Sequence, residues 1–209
     1  MKNCLVRSSS NLLLILFFSV QSLSAKTPEN SNCVAQMIPL FESVKYRTAI
    51  DVMNKHLSGI LIFKTQEDSS VRAVFLNEMG IVFFDITFTK KAYLFNSIFE
   101  GLDKKAVRKT LAKDIGMILM KGIIKSYTGV TILEEQQVYT FKLKSKGSVK
   151  YTTDQSCSPP IKIENFGRRK AVVSISQFYN KKNSMPDSIF VQHHKVNFTI
   201  NLKQMHVTK

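Results

Sequence analysis

The chain reads as a mainly β protein of the α+β class: a curved antiparallel sheet of about eleven strands, forming an incomplete barrel under a helical lid. Three observations predict it. From Val44 onward apolar and polar residues alternate, the two-residue period of a pleated strand. Short polar or glycine-bearing turns break that alternation at close intervals, as antiparallel connections do. One long stretch, Asp103 to Leu119, has the helical spacing instead, with Val107, Leu111, Ile115 and Ile118 on one face.

The first 25 residues stand apart from the sheet. Lys2 and Arg7 give a short positive start, Leu12 to Val20 an apolar run, and Ser22 to Ala25 small residues for cleavage. A bilayer span takes roughly twenty apolar residues, about twice this run, so a cleaved signal peptide over 1–25 is expected rather than an anchor. Residues 26–43 follow as an N-terminal segment, with a short helix between Cys33 and Ser43 limited by Pro39. Residues 44–209 form the expected single domain, because no Pro/Gly/Ser-rich linker divides them.

Within that domain the first strand turns Val44, Tyr46, Thr48, Ile50 and Val52 to one side. Leu57 to Lys64, Val71 to Leu76 and Ile81 to Thr89 continue a meander, and Ala92 to Phe99 adds a fifth strand. Two of these strands are apolar on both faces: Leu57, Gly59, Leu61 and Phe63 oppose Ile60 and Ile62, and Val82, Phe84, Ile86 and Phe88 oppose Ile81 and Phe83. Such strands require cover on both sides, by packed layers or by an apolar cavity on one of them. The alternation leaves open which face would line a cavity.

Asp103 suits the N-cap of the helix, whose polar side carries Lys104, Lys105, Arg108, Lys109 and Lys113. It packs across the sheet as an amphipathic helix or covers it as a lid. Val138 to Leu143, Ser148 to Thr153, Ile161 to Glu164, Lys170 to Tyr179, Ser188 to His194 and Val196 to Leu202 complete the strands. Lys146-Gly147, Pro159-Pro160, Asn165 to Gly167, Asn183 to Pro186 and a break near Lys195 separate them.

Thirty basic residues against fifteen acidic give a formal charge of +15, and loss of Lys2 and Arg7 with the signal leaves +13. So basic an exported chain is drawn to anionic headgroups or acidic glycans. Nucleic acid is not expected as a partner: there is no tryptophan and no aromatic–basic alternation of a base-stacking surface. Cys4 falls in the signal, which leaves Cys33 and Cys157 as a candidate disulfide in an oxidising compartment.

A non-enzyme without cofactor or metal is expected. His193 and His194 are adjacent and point to opposite faces of a strand, and the chain has no HExxH, GxSxG, glycine-rich phosphate loop or CxxC.

The runs Leu57-Ser58-Gly59-Ile60-Leu61-Ile62-Phe63-Lys64, Val71 to Leu76 and Gly80 to Ile86, followed by the helix Leu102 to Leu119, resemble the outer-membrane lipoprotein carrier and receptor (Lol) families. Met185 to Ile189 and Phe198 to Leu202 resemble the closing strands of the same folds. The resemblance implies an incomplete barrel whose apolar hollow shields acyl chains during passage to the outer membrane, in the periplasm or at the outer-membrane periphery. It implies acyl chains of a lipid or lipoprotein as cargo, an anionic membrane surface, and donor and acceptor envelope proteins. Lining candidates are Leu61, Phe63, Phe75, Phe84, Ile86 and Phe88, with Val107, Leu111 and Ile115 on the lid. Met79, Lys104, Lys105, Arg168, Arg169 and Lys170 are the candidates for membrane contact. The sequence departs from the carriers where Lys64-Thr65 occupies the place of a lid-latching arginine, and from the receptors in lacking a lipid-bearing terminal cysteine. The competing expectation is an envelope scaffold or binding module with a solid interior, holding headgroups or glycans on its basic surface.

Overall fold

The computed structural model describes residues 29–155, 157–180 and 185–206, with side chains from Cys33 onward. The expected signal peptide at 1–25, the pair Lys181-Lys182 and the turn residues Asn183-Ser184 lie outside the described residues. In chain order the elements are α1 (Glu29–Met37), β1 (Ser43–Val52), β2 (Lys55–Thr65), β3 (Val71–Leu76), β4 (Val82–Phe88) and β5 (Tyr93–Ile98). A 3-10 turn (Glu100–Leu102) leads into α2 (Lys105–Ile118). Then come β6 (Ile124–Leu133), β7 (Gln136–Leu143), β8 (Ser148–Thr153), β9 (Lys162–Phe166), β10 (Ala171–Phe178), β11 (Ser188–His193) and β12 (Phe198–Gln204).

All twelve strands form one antiparallel sheet in the order β5-β4-β3-β2-β1-β12-β11-β10-β9-β8-β7-β6. No ladder joins β5 to β6, so the barrel is incomplete and has two edges. The expected count of eleven omitted β6. Its ladder with β7 slips between Ile124 and Ser126 and again between Tyr127 and Gly129. Each slip inserts a residue and sends the following side chains to the other face, which erases the two-residue period in the sequence.

β2 passes close to the end of β3 at Gly59. A methyl group on Gly59 would lie 2.1 Å from the Leu76 carbonyl oxygen, so the close approach requires a residue without Cβ. On the concave side Tyr46, Thr48, Ile50 and Val52 of β1 are buried, as the alternation predicts. Both helices cover this side. Met37 of α1 and Phe41 beyond it enter the core, where the Phe41 and Phe63 rings lie 4.8 Å apart. Val107, Leu111, Ile115 and Ile118 of α2 join the same core.

Three expectations are corrected. Cover on both faces is not what the described elements provide: on the convex side Ile60, Ile62, Val74 and Leu76 stay half-buried and shield one another as the cross-strand pairs Ile60–Leu76 and Ile62–Val74. Asp103 does not cap α2, which starts at Lys105 after an uncapped Lys104. Asp103 instead follows the 3-10 turn as its C-cap, its amide donating to the Glu100 carbonyl, and its carboxylate accepts a 2.9 Å hydrogen bond from Arg108. The first helix begins at Glu29 and ends at Met37, before Ile38-Pro39, since the residue ahead of a proline disfavours helical geometry.

Cys33 of α1 and Cys157 in the β8–β9 connection form a disulfide with their Cα atoms 4.6 Å apart, 124 residues apart in sequence. It holds α1 against the far half of the sheet. Closing so long a loop restricts the unfolded chain, so reduction should lower unfolding stability by about 2–5 kcal/mol. Urea unfolding with and without reductant measures it; equal midpoints would contradict a stabilising bond.

Candidate ligand-binding face

β2, β3 and β4 each send alternate side chains to the concave face. Leu61, Phe63, Phe75, Phe84, Ile86 and Phe88 therefore converge there, and Val107, Leu111 and Ile115 of α2 belong to the same core. All nine are between 0% and 6% exposed. They contact one another rather than an open space: the Phe75 and Phe84 rings are 5.5 Å apart, and Phe63 meets Tyr46 edge-on at 5.9 Å. Among the described residues, clefts lie elsewhere. One of about 750 Å³ sits beside Asp154, Ile161, Phe178 and Tyr179. Another, of about 550 Å³, runs between β5 and the start of α2, and a third, of about 160 Å³, lies near Gly122 and Leu143.

α2 is tied down by polar groups that the sequence did not announce. Asp114, fully buried on the apolar side of the helix, is 2.7 Å through Oδ2 from His193 Nε2 on β11. The His193 ring also lies 4.7 Å from that of Phe198. Oδ1 of Asp114 is buried without a hydrogen-bond partner. The Tyr151 hydroxyl donates to the Met117 carbonyl at 2.8 Å, near the end of α2. Burial pushes the Tyr151 phenol well above its usual range. It also lowers the Lys113 ammonium on the same helix. His194, on the opposite face from His193, is 2.8 Å from Ser174 Oγ at the surface.

Arg72 and Lys64 both lie away from α2. Arg72 is on the convex face, where Nε donates to both oxygens of Asp85 at 2.9 and 3.1 Å and Nη2 pairs with Oδ2. Asn96 of β5 donates to the same carboxylate at 2.9 Å. Burial would raise Asp85, but the Arg72 and Asn96 bonds outweigh it and leave the carboxyl below its usual range. Lys64 is exposed, and its neighbour Thr65 binds the Phe41 carbonyl through Oγ1 at 2.6 Å.

Met79 is 82% exposed at the tip of the β3–β4 turn, whose shape the Asn77 side chain holds by accepting from the Met79 and Ile81 amides at 3.0 and 2.8 Å. Lys104 and Lys105 are exposed at the start of α2, and Arg168, Arg169 and Lys170 at the β9–β10 turn. The structure thus gathers the lining candidates into one core and distributes the contact candidates over separate turns.

No protein-family model and no curated protein matches the chain. Among solved structures it is similar to a LolA-superfamily protein from Nitrosomonas europaea: 14% identity, TM-score 0.46, covering 84% of this chain and 91% of that one. It is also similar to an outer membrane lipoprotein-sorting protein domain from Vibrio parahaemolyticus: 9% identity, TM-score 0.45, 84% and 88% covered. A DUF1329 family protein from Desulfovibrio piger is similar as well, at 8% identity and TM-score 0.47, with 84% and 89% covered. The first two carry names from the family that the strand pattern resembles.

Burial raises the Asp114 carboxyl above the usual carboxylate range, against the opposing hydrogen bond and charge of His193 and the charge of Lys113. Between the usual and the raised value the folded chain keeps a proton that the unfolded chain has lost. Stability should therefore fall as pH rises across that window, by up to about 1.4 kcal/mol per pH unit. Asp114→Asn should flatten this limb, which urea unfolding from about pH 4 upward measures.

Proposed function

We propose that this chain is a non-enzymatic carrier of the periplasm that shields acyl chains of a lipid or lipoprotein under α2. One observation carries the reading: the apolar concave face of an unclosed sheet shares one core with a single long amphipathic helix, α2. Where the nine side chains meet, they fill the space, so a guest enters as the helix lifts. Lifting α2 exposes apolar area, and an acyl chain in its place covers it again at about 0.8 kcal/mol per buried methylene. The exchange is apolar for apolar. Its cost falls on the polar ties Asp114–His193 and Tyr151–Met117.

The packing of those nine side chains favours a second reading, an envelope binding module that uses its basic surface and keeps its interior solid. Uptake separates the two. Delipidated protein should bind a fluorescent fatty acid with one added ligand mass in native mass spectrometry, and lipid should co-purify with it. Phe84→Asp should abolish uptake, because it puts a charge among Phe75, Ile86 and the helix. Neither a fluorescence change nor a mass shift at saturating probe would leave only the binding-module reading.

A further inference from the structure

Polar side chains interrupt the apolar concave face opposite α2. The β9–β10 and β10–β11 registers set Asn165, Val173 and His193 side by side on three neighbouring strands. Residues paired directly across antiparallel strands share a face, and here it is the concave one, where His193 meets Asp114 of α2 at 2.7 Å. The row continues to Phe198 of β12, whose ring lies beside that of His193. Asn165 thus stands at one end, Asp114 over the other, and the short Val173 side chain between them.

Asn165 is 2% exposed and Asp114 0%. Each keeps its Oδ1 buried without a hydrogen-bond partner among the described residues. Folded proteins pair nearly all such atoms, because an unpaired one carries its full desolvation penalty. Oδ1 of Asp114 is an acceptor in either state of its pair: whether the proton between Oδ2 and Nε2 rests on His193 or on the carboxyl, Oδ1 has no hydrogen. Among the described residues no third histidine, cysteine or carboxylate joins Asp114 and His193, so their chemistry is that of a hydrogen-bonding site rather than a metal site.

In a carrier whose α2 lifts, the donor that these oxygens lack comes from the guest. Lifting takes Asp114 away from His193 and leaves a carboxyl group in apolar surroundings with neither oxygen paired, the costly way to lose a buried pair. A hydrocarbon chain offsets the apolar area and none of that penalty. A headgroup with an N–H or O–H beside the chain offsets both. A carboxylate headgroup brings only further acceptors and, beside an ionised Asp114, a like charge. The nine apolar lining candidates make no such distinction.

We infer, resting on the carrier reading, that Asp114 together with Asn165 selects the guest by its headgroup: an uncharged amphiphile with a hydrogen-bond donor, amide N–H or hydroxyl, next to its hydrocarbon chain. His193 occupies Asp114 while α2 is down. The guest's donor takes that place when α2 is up. Asn165 supplies a second polar contact along the same row.

The test is equilibrium dialysis of delipidated protein against tritiated N-methyl dodecanamide, dodecanol and methyl dodecanoate, the ester matching the amide in shape without its N–H. The amide or the alcohol should bind at least about tenfold tighter than the ester, and whichever does so names the donor. Asp114→Leu with His193→Leu removes both members of the pair and leaves no lone buried charge. That variant should bind the ester within about twofold of the unaltered chain and lose the preference for a donor. Asn165→Leu, which keeps the pair, should cut the preference at least about threefold and reads the same site independently of the double variant's folding. Ester bound as tightly as amide and alcohol by the unaltered chain, or a preference that survives in both variants, would overturn the inference and leave the carrier reading standing. Binding of none of the ligands would remove both.

Discussion

The concave apolar face is the constraint around which the molecule is arranged. Strands β1 to β4 and their partners across the sheet bring Tyr46, Leu61, Phe63, Phe75, Phe84, Ile86 and Phe88 to one side, and a sheet that does not close cannot bury them by itself. α2 supplies the cover, and Met37 of α1 with Phe41 beyond it, the latter beside Phe63, adds to it. The disulfide then fixes α1 to the β8–β9 connection, so that the cover is attached to both halves of the ribbon. The helical cover and the half-buried convex face both follow from that one-sided burial.

The strand faces were legible because a two-residue period survives wherever a ladder is regular. β1 is the clearest case, with Tyr46, Thr48, Ile50 and Val52 buried in step. The joint burial of the nine side chains was legible for the same reason, together with the helical spacing of Val107, Leu111 and Ile115. β6 was not, since two slips in its ladder destroy the period that identifies a strand. The N-cap was misread because Asp103 belongs to a 3-10 turn that no local pattern distinguishes from the helix start.

Long-range polar chemistry was the least legible. Asp114 looks in sequence like one more charged residue of a basic amphipathic helix, and His193 like half of an adjacent pair without metal-binding spacing. Only the crossing of α2 over β11 brings them within 2.7 Å. Arg72 and Asp85 likewise sit on neighbouring strands as a lone cation and a break in an apolar run, until the β3–β4 register places Val74 opposite Asp85 and Arg72 opposite Thr87, on the convex side.

The open ribbon leaves β5 and β6 with backbone groups that no other strand among the described residues engages. Edges of that kind recruit further strands from neighbouring molecules and seed fibrous assemblies. Both are irregular where a template must be regular. β5 skips a residue at Asn96 as it runs along β4, and β6 slips twice along β7. An incoming strand finds no straight row of donors and acceptors to copy. The gap in the barrel is therefore compatible with a crowded compartment, because its margins are poor seeds for polymerisation.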